Sequence, residues 1–220
     1  TLKNPVFETV DPKEILKLIP EGVLSRAFIS RISSYEASTG FFAIFATLDP
    51  GCQDEGTDNA IVSIFPHTDI SQILDPGYEG PGAMVLIRSE EEVRGTRRQI
   101  INILETSCFE HVAAWKDTRR GMRPQAYKDY KLKRTESIRE RIFRVFPKYR
   151  DCLSVVDTAS VLTFRDYLNS PDGSAYGIKQ KVGQYNLLGK LPLRNLFAAG
   201  QSSLLPGIIG SMMSSFIVGR

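Results

Sequence analysis

The sequence predicts an α+β fold, and three observations lead to this prediction. Short apolar runs bounded by proline and glycine alternate with segments of helical periodicity. Two β-type runs, 83–88 and 98–104, flank one charged segment, which is typical of an antiparallel hairpin. The 220 residues are 42% hydrophobic and 24% charged, a composition that can bury a core.

The chain is predicted to begin with two helices and a strand. Asp11-Pro12 starts the first helix, because aspartate is a good N-cap and proline fits the first helical position, and Pro20 ends it. A second helix is predicted over 21–32. The apolar run in 35–48 predicts a strand that is buried on both faces.

The middle of the chain is predicted to be mainly β-structure. A short strand covers 60–65. In the hairpin, the charged residues 89–96 are predicted to form an extended polar tip between the two strands. A short helix over 107–115 follows.

A long amphipathic helix is predicted over 123–146, where apolar residues recur at helical spacing among many Lys and Arg residues. We interpret its basic side as a solvated face, and contact with an anionic membrane surface is the alternative. Pro147 ends this helix. A strand rich in β-branched residues is predicted over 154–164.

The C-terminal segment is predicted to run strand, glycine turn, helix. The strand is 196–199, the chain breaks at Gly200, and a helix with many small residues covers 206–218. Such a helix start presents free backbone N–H groups and a positive dipole end, which suit a phosphate or an electron-rich flavin edge. Gly200, Gly207 and Gly210 would let a flat cofactor approach the backbone, although similar turns occur throughout α/β proteins.

Several catalytic classes are excluded by missing motifs. There is no G-x-G-x-x-G and no G-x-x-x-x-G-K-[ST], so residues 1–220 alone do not carry the usual dinucleotide cradle. His67 and His111 stand in no metal-ligand pattern, and no G-x-S-x-G is present. We predict no metal site. An enzyme without its own acid–base cluster is what we expect when a cofactor carries the chemistry.

Charge, cysteine content and the length of apolar runs indicate which partners, cross-links and cell compartment to expect. The net charge is +3 with both signs interspersed, so we predict no nucleic-acid partner. The chain has three cysteines, an odd number without C-x-x-C spacing: Cys52, Cys108 and Cys152. We therefore predict neither a disulfide framework nor a zinc site, and we expect the protein to occupy a reducing compartment. No run reaches the ~18 apolar residues of a spanning helix. We expect a cytoplasmic protein, with peripheral membrane association as the alternative.

The chain is expected to be a fragment, because it begins at Thr1 rather than Met and ends inside a predicted helix.

Phe41, Phe42 and Phe45 are candidates for lining a tunnel for an apolar ligand, and a packed core is the alternative interpretation. His67, at a strand end after Pro66, could face a pocket, with a surface position as its alternative.

A series of motifs resembles one enzyme family. The motifs are 65–70 (FPHTDI), 114–118 (AWKDT), 157–163 (DTASVLT), 171–177 (PDGSAYG), 195–201 (NLFAAGQ) and 206–211 (PGIIGS). In this order they resemble the C-terminal part of phytoene desaturases, carotenoid isomerases and retinol saturases. The specificity of the likeness comes from the series, which is spread over much of 35–218.

The resemblance implies an FAD-dependent oxidoreductase whose cofactor is bound by two pieces of chain. One is an N-terminal G-x-G-x-x-G unit, absent from these residues. The other is the C-terminal strand and helix of a Rossmann-like domain, here 191–220, in which Gly200 and Gln201 would contact the ribityl-pyrophosphate region. The helix start, given by Gly207, Ile208, Ile209 and Gly210, would face the flavin ring.

Residues 1–190 would then form the substrate-binding domain, a mixed, mainly antiparallel sheet with helices on it. It would close over a lipophilic, unsaturated, carotenoid- or retinoid-like substrate, lined by Phe41, Phe42, Phe45 and His67. We expect hydride transfer to or from FAD in the full-length protein, and no stable FAD binding by residues 1–220 alone.

Two departures from the family pattern limit what the resemblance implies. Gln201 stands where many relatives carry an acidic residue, and Ala159 stands where a proline often follows the strand threonine. A glutamine can still donate and accept hydrogen bonds at a cofactor. Desaturation, saturation and isomerisation share this scaffold, and fold does not choose among them. An amine-oxidase-like flavoprotein and a non-catalytic substrate-binding module remain the alternatives.

Overall fold

The computed structural model describes residues 3–49, 52, 60–75, 77–93, 95–184, 186–187, 189 and 191–219. Two compact units are present: Thr1–Gly40 with Thr163–Arg220, named here the terminal unit, and Phe41–Leu162, named here the sheet unit. No helix within these described ranges is both long enough and apolar enough to cross a membrane.

Helices and strands follow one another in an α+β order, which confirms the predicted fold class. The elements are β1 Val6–Glu8, α1 Pro12–Leu18, α2 Arg26–Ser33, β2 Gly40–Leu48, β3 Ile61–Ile64, α3 Ile70–Ile73, β4 Met84–Val93, β5 Thr96–Ser107, a 3₁₀ helix Phe109–Trp115, α4 Gln125–Val145, a 3₁₀ helix Pro147–Arg150, β6 Leu153–Ala159, α5 Val161–Leu168, β7 Leu196–Ala198 and α6 Gly207–Val218.

A five-stranded sheet of order β3-β4-β5-β2-β6 forms the frame of the sheet unit. The pairs β2–β6, β3–β4 and β4–β5 are all antiparallel. One face of the sheet packs against α4, and this is where the core of the unit lies. The largest fully buried core side chains are Phe42, Ile44, Met84, Leu86, Ile101, Ile103, Ile138, Ile142 and Tyr149.

The hairpin β4–β5 is longer than predicted. Its charged segment is no polar tip but continues both strands, and the turn falls between Val93 and Thr96, where Gly95 has φ +77°. Glu91 pairs with Arg98 and Glu92 with Arg97. Opposite charges directly across an antiparallel pair stabilise it, so charged residues at these positions support the ladder instead of ending it.

Other predicted boundaries shift because of local caps. The second helix begins only at Arg26, because the Ser25 hydroxyl accepts the N–H of Phe28. The strand predicted over 35–48 begins at Gly40, and the strand predicted over 154–164 ends at Ala159. Thr163 and Phe164 lie in α5 instead. The helix start at Asp11-Pro12 and the helix over 206–218 are confirmed within one residue.

The prediction that the cysteines are unpaired is wrong for Cys52 and Cys152, whose sulfur atoms are bonded, with Cα atoms 6.1 Å apart. They are 100 residues apart in sequence, which hid the pairing. The β2–β6 ladder brings them together, because Leu48 pairs with Leu153 and the Asp49 N–H donates to the Cys152 carbonyl oxygen. Cys108 is free.

The terminal unit joins the two ends of the chain through a small parallel sheet. Strand β1 pairs with β7 in the register Val6 to Leu196, Phe7 to Phe197 and Glu8 to Ala198. The compact units therefore do not follow the boundary at residue 190 drawn from the sequence, because the tail shares a core with α1 and α2. The roles assigned to 1–190 and 191–220 stay predictions.

Candidate functional site

The glycine turn after β7 has the left-handed backbone that glycine favours. Gly200 has φ +89°, and its N–H donates to the Ser214 hydroxyl over 2.8 Å. Its carbonyl oxygen accepts the N–H and the hydroxyl of Ser203, at 3.2 and 3.0 Å. The N–H and the carbonyl oxygen of Gly200 are therefore bonded within the terminal unit. At a cofactor, Gly200 would act through the backbone conformation of the turn and the lack of a side chain.

Two motifs that are distant in sequence meet beside this turn. The Gln201 side-chain amide donates to the Ala175 carbonyl oxygen over 3.2 Å. A Cβ at Gly177, where φ is +67°, would lie 2.1 Å from the Ser202 hydroxyl oxygen. The loop 171–177 and the turn 200–202 are thus packed closely, and Gly177 is the residue that permits it.

The start of α6 is open. Gly207 has φ +78°, and a Cβ there would meet nothing within 4 Å. Its N-cap, Pro206, provides no side-chain hydrogen bond to the first turn. Ile208 and Ile209 are 81% and 74% exposed. Gly210 differs, because a Cβ there would lie 1.9 Å from the Leu205 carbonyl oxygen, so this glycine serves close packing within the unit.

Helix α6 buries its small side chains and exposes its large apolar ones. Gly210, Ser214 and Val218 face inward. The exposed large side chains recur at helical spacing and are Ile208, Ile209, Met212, Met213, Phe216 and Ile217. A soluble helix normally shows the opposite arrangement, and an exposed apolar stripe of this kind marks a contact surface. This stripe is named here the α6 apolar face.

The three candidate phenylalanines lie on opposite faces of the sheet. Phe42 is fully buried on the α4 side and belongs to the core. Phe41 and Phe45 project to the other side, because successive strand residues alternate between faces. Phe41 is half-buried and Phe45 is 40% exposed. The prediction that β2 is buried on both faces is therefore wrong, and only Phe41 and Phe45 are placed to line a ligand surface.

The face that carries Phe41 and Phe45 has further apolar side chains on the neighbouring strands. On β4 and β5, the pairs Val85 with Leu104 and Ile87 with Asn102 share one face, because directly paired residues point the same way. By the alternation along each strand, these residues lie opposite the α4 side. This half-buried surface is named here the open face. Substrate lining by it stays a prediction.

A polar cluster that the sequence did not reveal lies at one end of the sheet unit. His67 Nε2 and the Tyr78 hydroxyl oxygen are 3.2 Å apart, and the rings meet edge to face. His111 Nε2 is 3.2 Å from the Tyr78 carbonyl oxygen, and its Nδ1 is 3.1 Å from the Ser107 hydroxyl oxygen. The two histidines, 44 positions apart, thus both contact Tyr78. In the sequence, only the position of Tyr78 in a Pro- and Gly-rich loop indicated that it could be a site residue.

A buried ion triad holds the same end of the sheet to α4. Glu105, 2% exposed, bonds Arg134 at 2.7 Å and also Arg141. Gly82 completes the cluster, donating its N–H to Glu105 and accepting from Arg141. Burial raises the pKa of the nearby Tyr130 hydroxyl, against the opposing effect of the Arg134 charge. In the described ranges no three His, Cys, Asp or Glu residues are grouped to hold a metal ion.

Comparison with known proteins gives one distant likeness. No family model matches the chain, and no solved structure matches it. The chain is 21% identical over 222 aligned residues to an all-trans-retinol 13,14-reductase from Danio rerio. The alignment covers 92% of this chain and 37% of that relative. The chain thus spans little more than a third of the length of a curated oxidoreductase to which it is similar.

Proposed function

We propose that this chain contributes a substrate-binding surface and the C-terminal flavin-binding piece to an FAD-dependent oxidoreductase that acts on a lipophilic, retinoid-like polyene. The observation that carries the proposal is the likeness to a retinol reductase, which runs along 92% of the chain. The geometry of the tail supports it.

The residues of the tail fit one edge of a flavin site. The first-turn amides of α6 have no side-chain cap, and Gly207 leaves open space beside them, so a flat ring can reach that helix start. When bound, FAD would supply the hydride acceptor or donor. Gln201, fixed on Ala175, would hold the turn in shape beside the cofactor.

The α6 apolar face has a place in this proposal. Two-piece flavin sites need the tail helix to pack on the rest of a dinucleotide-binding domain, and large apolar side chains facing outward are what such packing uses. The open face of the sheet would in turn exclude water from an apolar substrate, with Phe41 and Phe45 as its aromatic members.

The test is the flavin content and reactivity of the full-length protein that contains these residues. We expect it to purify with bound FAD, which is identified by its mass after release. After anaerobic reduction, mixing with all-trans-retinol should reoxidise the flavin in a single turnover, because the polyene accepts the hydride. Residues 1–220 alone should not bind FAD stably, since they lack a dinucleotide cradle. Full-length protein that neither contains nor takes up flavin would disprove the proposal.

A further inference from the structure

The His67–Tyr78 pair has a hydrogen-bond direction that the backbone fixes. The Asp69 N–H donates to His67 Nδ1 over 3.2 Å. A ring nitrogen that accepts an N–H carries no proton, so the neutral ring holds its proton on Nε2. Since Nε2 is 3.2 Å from the Tyr78 hydroxyl oxygen, His67 donates and Tyr78 accepts.

The Tyr78 hydroxyl therefore keeps its own proton for another acceptor. A phenol oxygen can accept one hydrogen bond and donate one. No other side chain in the described part of the molecule bonds this hydroxyl. Accepting a bond from His67 polarises the O–H group and makes it a better donor.

The position of this donor is set by its surroundings. A Cβ at Gly80 would lie 2.3 Å from both the ring and the hydroxyl of Tyr78, so the ring lies directly on the Gly80 backbone. The Tyr78 carbonyl oxygen is held by His111, which Ser107 holds in turn. A donor whose ring and backbone are both fixed is preorganised for a ligand.

The chain segment that carries His67 is otherwise apolar at its surface. Phe65, Ile70 and Leu74 are exposed, although each is a large apolar side chain. His67 and Tyr78 are half-buried. A few directed polar groups beside exposed apolar surface are typical of sites for apolar ligands with one polar end.

We infer that the Tyr78 hydroxyl, oriented by His67, donates a hydrogen bond to the terminal hydroxyl or carbonyl oxygen of the lipophilic substrate. The inference rests on the proposed function and adds to it a group that recognises the polar end of the molecule. Tyr78 thereby becomes a binding residue and His67 the residue that positions it.

The experiment compares two probes in the full-length, flavin-loaded protein: all-trans-retinol and the hydrocarbon in which methyl replaces its CH₂OH group. The wild-type protein should bind the alcohol more tightly than the hydrocarbon. Tyr78→Phe should reduce that preference by about three- to tenfold, the value of one neutral hydrogen bond. The change should appear in Kd and KM for the alcohol, with little change in kcat, because the contact is equal in the ground and transition states.

Two further variants separate recognition from folding. Gly80→Ala should reduce the preference for the alcohol in the same way, because the added Cβ displaces the Tyr78 ring. The Tyr78 ring can move aside, so the variant should still fold. Tyr149→Phe is the matched control: it removes a hydroxyl bonded to Arg88 at 2.9 Å in the same unit, and it should keep the wild-type preference.

Equal binding of the two probes by the wild-type protein would overturn the inference. So would a Tyr78→Phe protein that keeps the wild-type ratio of the two Kd values, or one that loses affinity for both probes alike. These results differ from a failure of the proposed function, which appears as missing flavin or as absent flavin reoxidation in the wild-type protein.

Discussion

At the scale of single residues, the Glu105 triad joins three parts of the sheet unit through buried charges. One buried carboxylate bonds Arg134 and Arg141, which lie on α4 and are themselves mostly buried. Both arginines also bond backbone carbonyls, of Thr106 and Gly82. Strand, helix and loop are therefore joined at a place where water cannot replace a lost partner.

Glu105→Gln should destabilise the sheet unit by about 3 kcal/mol or more, because the arginine charges stay buried when the only carboxylate of the triad is neutralised. Urea unfolding followed by Trp115 fluorescence measures this change, since Trp115 is the one tryptophan of the sequence and lies in this unit. Glu136→Gln, which removes the partner of Arg139 in a more exposed pair, should cost less than about 0.5 kcal/mol. Similar losses of stability for the two variants would show that Glu105→Gln does not leave the charges of Arg134 and Arg141 buried without compensation.

What the sequence could predict at this scale depended on locality. Asp11 as a helix cap was predicted and is found with its carboxylate on the Lys13 N–H at 2.9 Å, because capping involves neighbours in sequence. Tyr78 and Glu105 were missed. Their partners His67, His111, Arg134 and Arg141 come from other elements, and no local pattern encodes those meetings.

At the scale of elements, apolar periodicity predicted the long helix α4 well and strand faces poorly. Helix α4 was predicted within two residues of its bounds because its apolar stripe has helical spacing. The continuous apolar run of β2 was taken as two buried faces, yet Phe45 is 40% exposed. A continuous apolar run does not distinguish a strand face that is covered by other protein from an apolar face that is open to a ligand.

Helix α6 gives the prediction that belongs to this scale. In the 220-residue chain, replacing Ile208 and Ile209 together by serine should change stability by less than about 0.5 kcal/mol, because both side chains are already in water. In the full-length protein the same variant should lower the FAD content at purification, because we propose that this helix start lies against the flavin domain. Thermal unfolding and flavin absorbance measure the two effects.

Ile15→Ser is the control for the α6 variant, since Ile15 is a buried isoleucine of the same unit. It should cost about 2 kcal/mol or more in the 220-residue chain. If the α6 variant destabilised that chain as much as Ile15→Ser does, the helix start would be part of a closed core. Unchanged FAD content in the full-length protein would argue against a flavin contact there.

At the scale of the whole molecule, the chain divides so that its two ends form one unit and its middle forms the other. The boundary near residue 190 came from the family resemblance, which implies that the tail belongs to a flavin-binding domain. The parallel pair β1–β7 explains the difference, since it ties the tail to the first strand across almost the full length of the chain. Such long-range pairing has no signature in a single sequence.

The Cys52–Cys152 bond closes a 100-residue loop that contains β3, β4, β5 and α4 of the sheet unit, while β2 and β6 lie outside it. On the chain-entropy account, a cross-link over such a loop stabilises the folded state by about 4 to 5 kcal/mol, because it removes conformations mainly from the unfolded chain. Reduction, or Cys52→Ser, should therefore lower the urea midpoint reported by Trp115. Cys108→Ser should leave this midpoint nearly unchanged, because Cys108 takes no part in the disulfide. Three free thiols in the unreduced protein, or equal midpoints with and without reductant, would show that the cross-link does not hold this unit together.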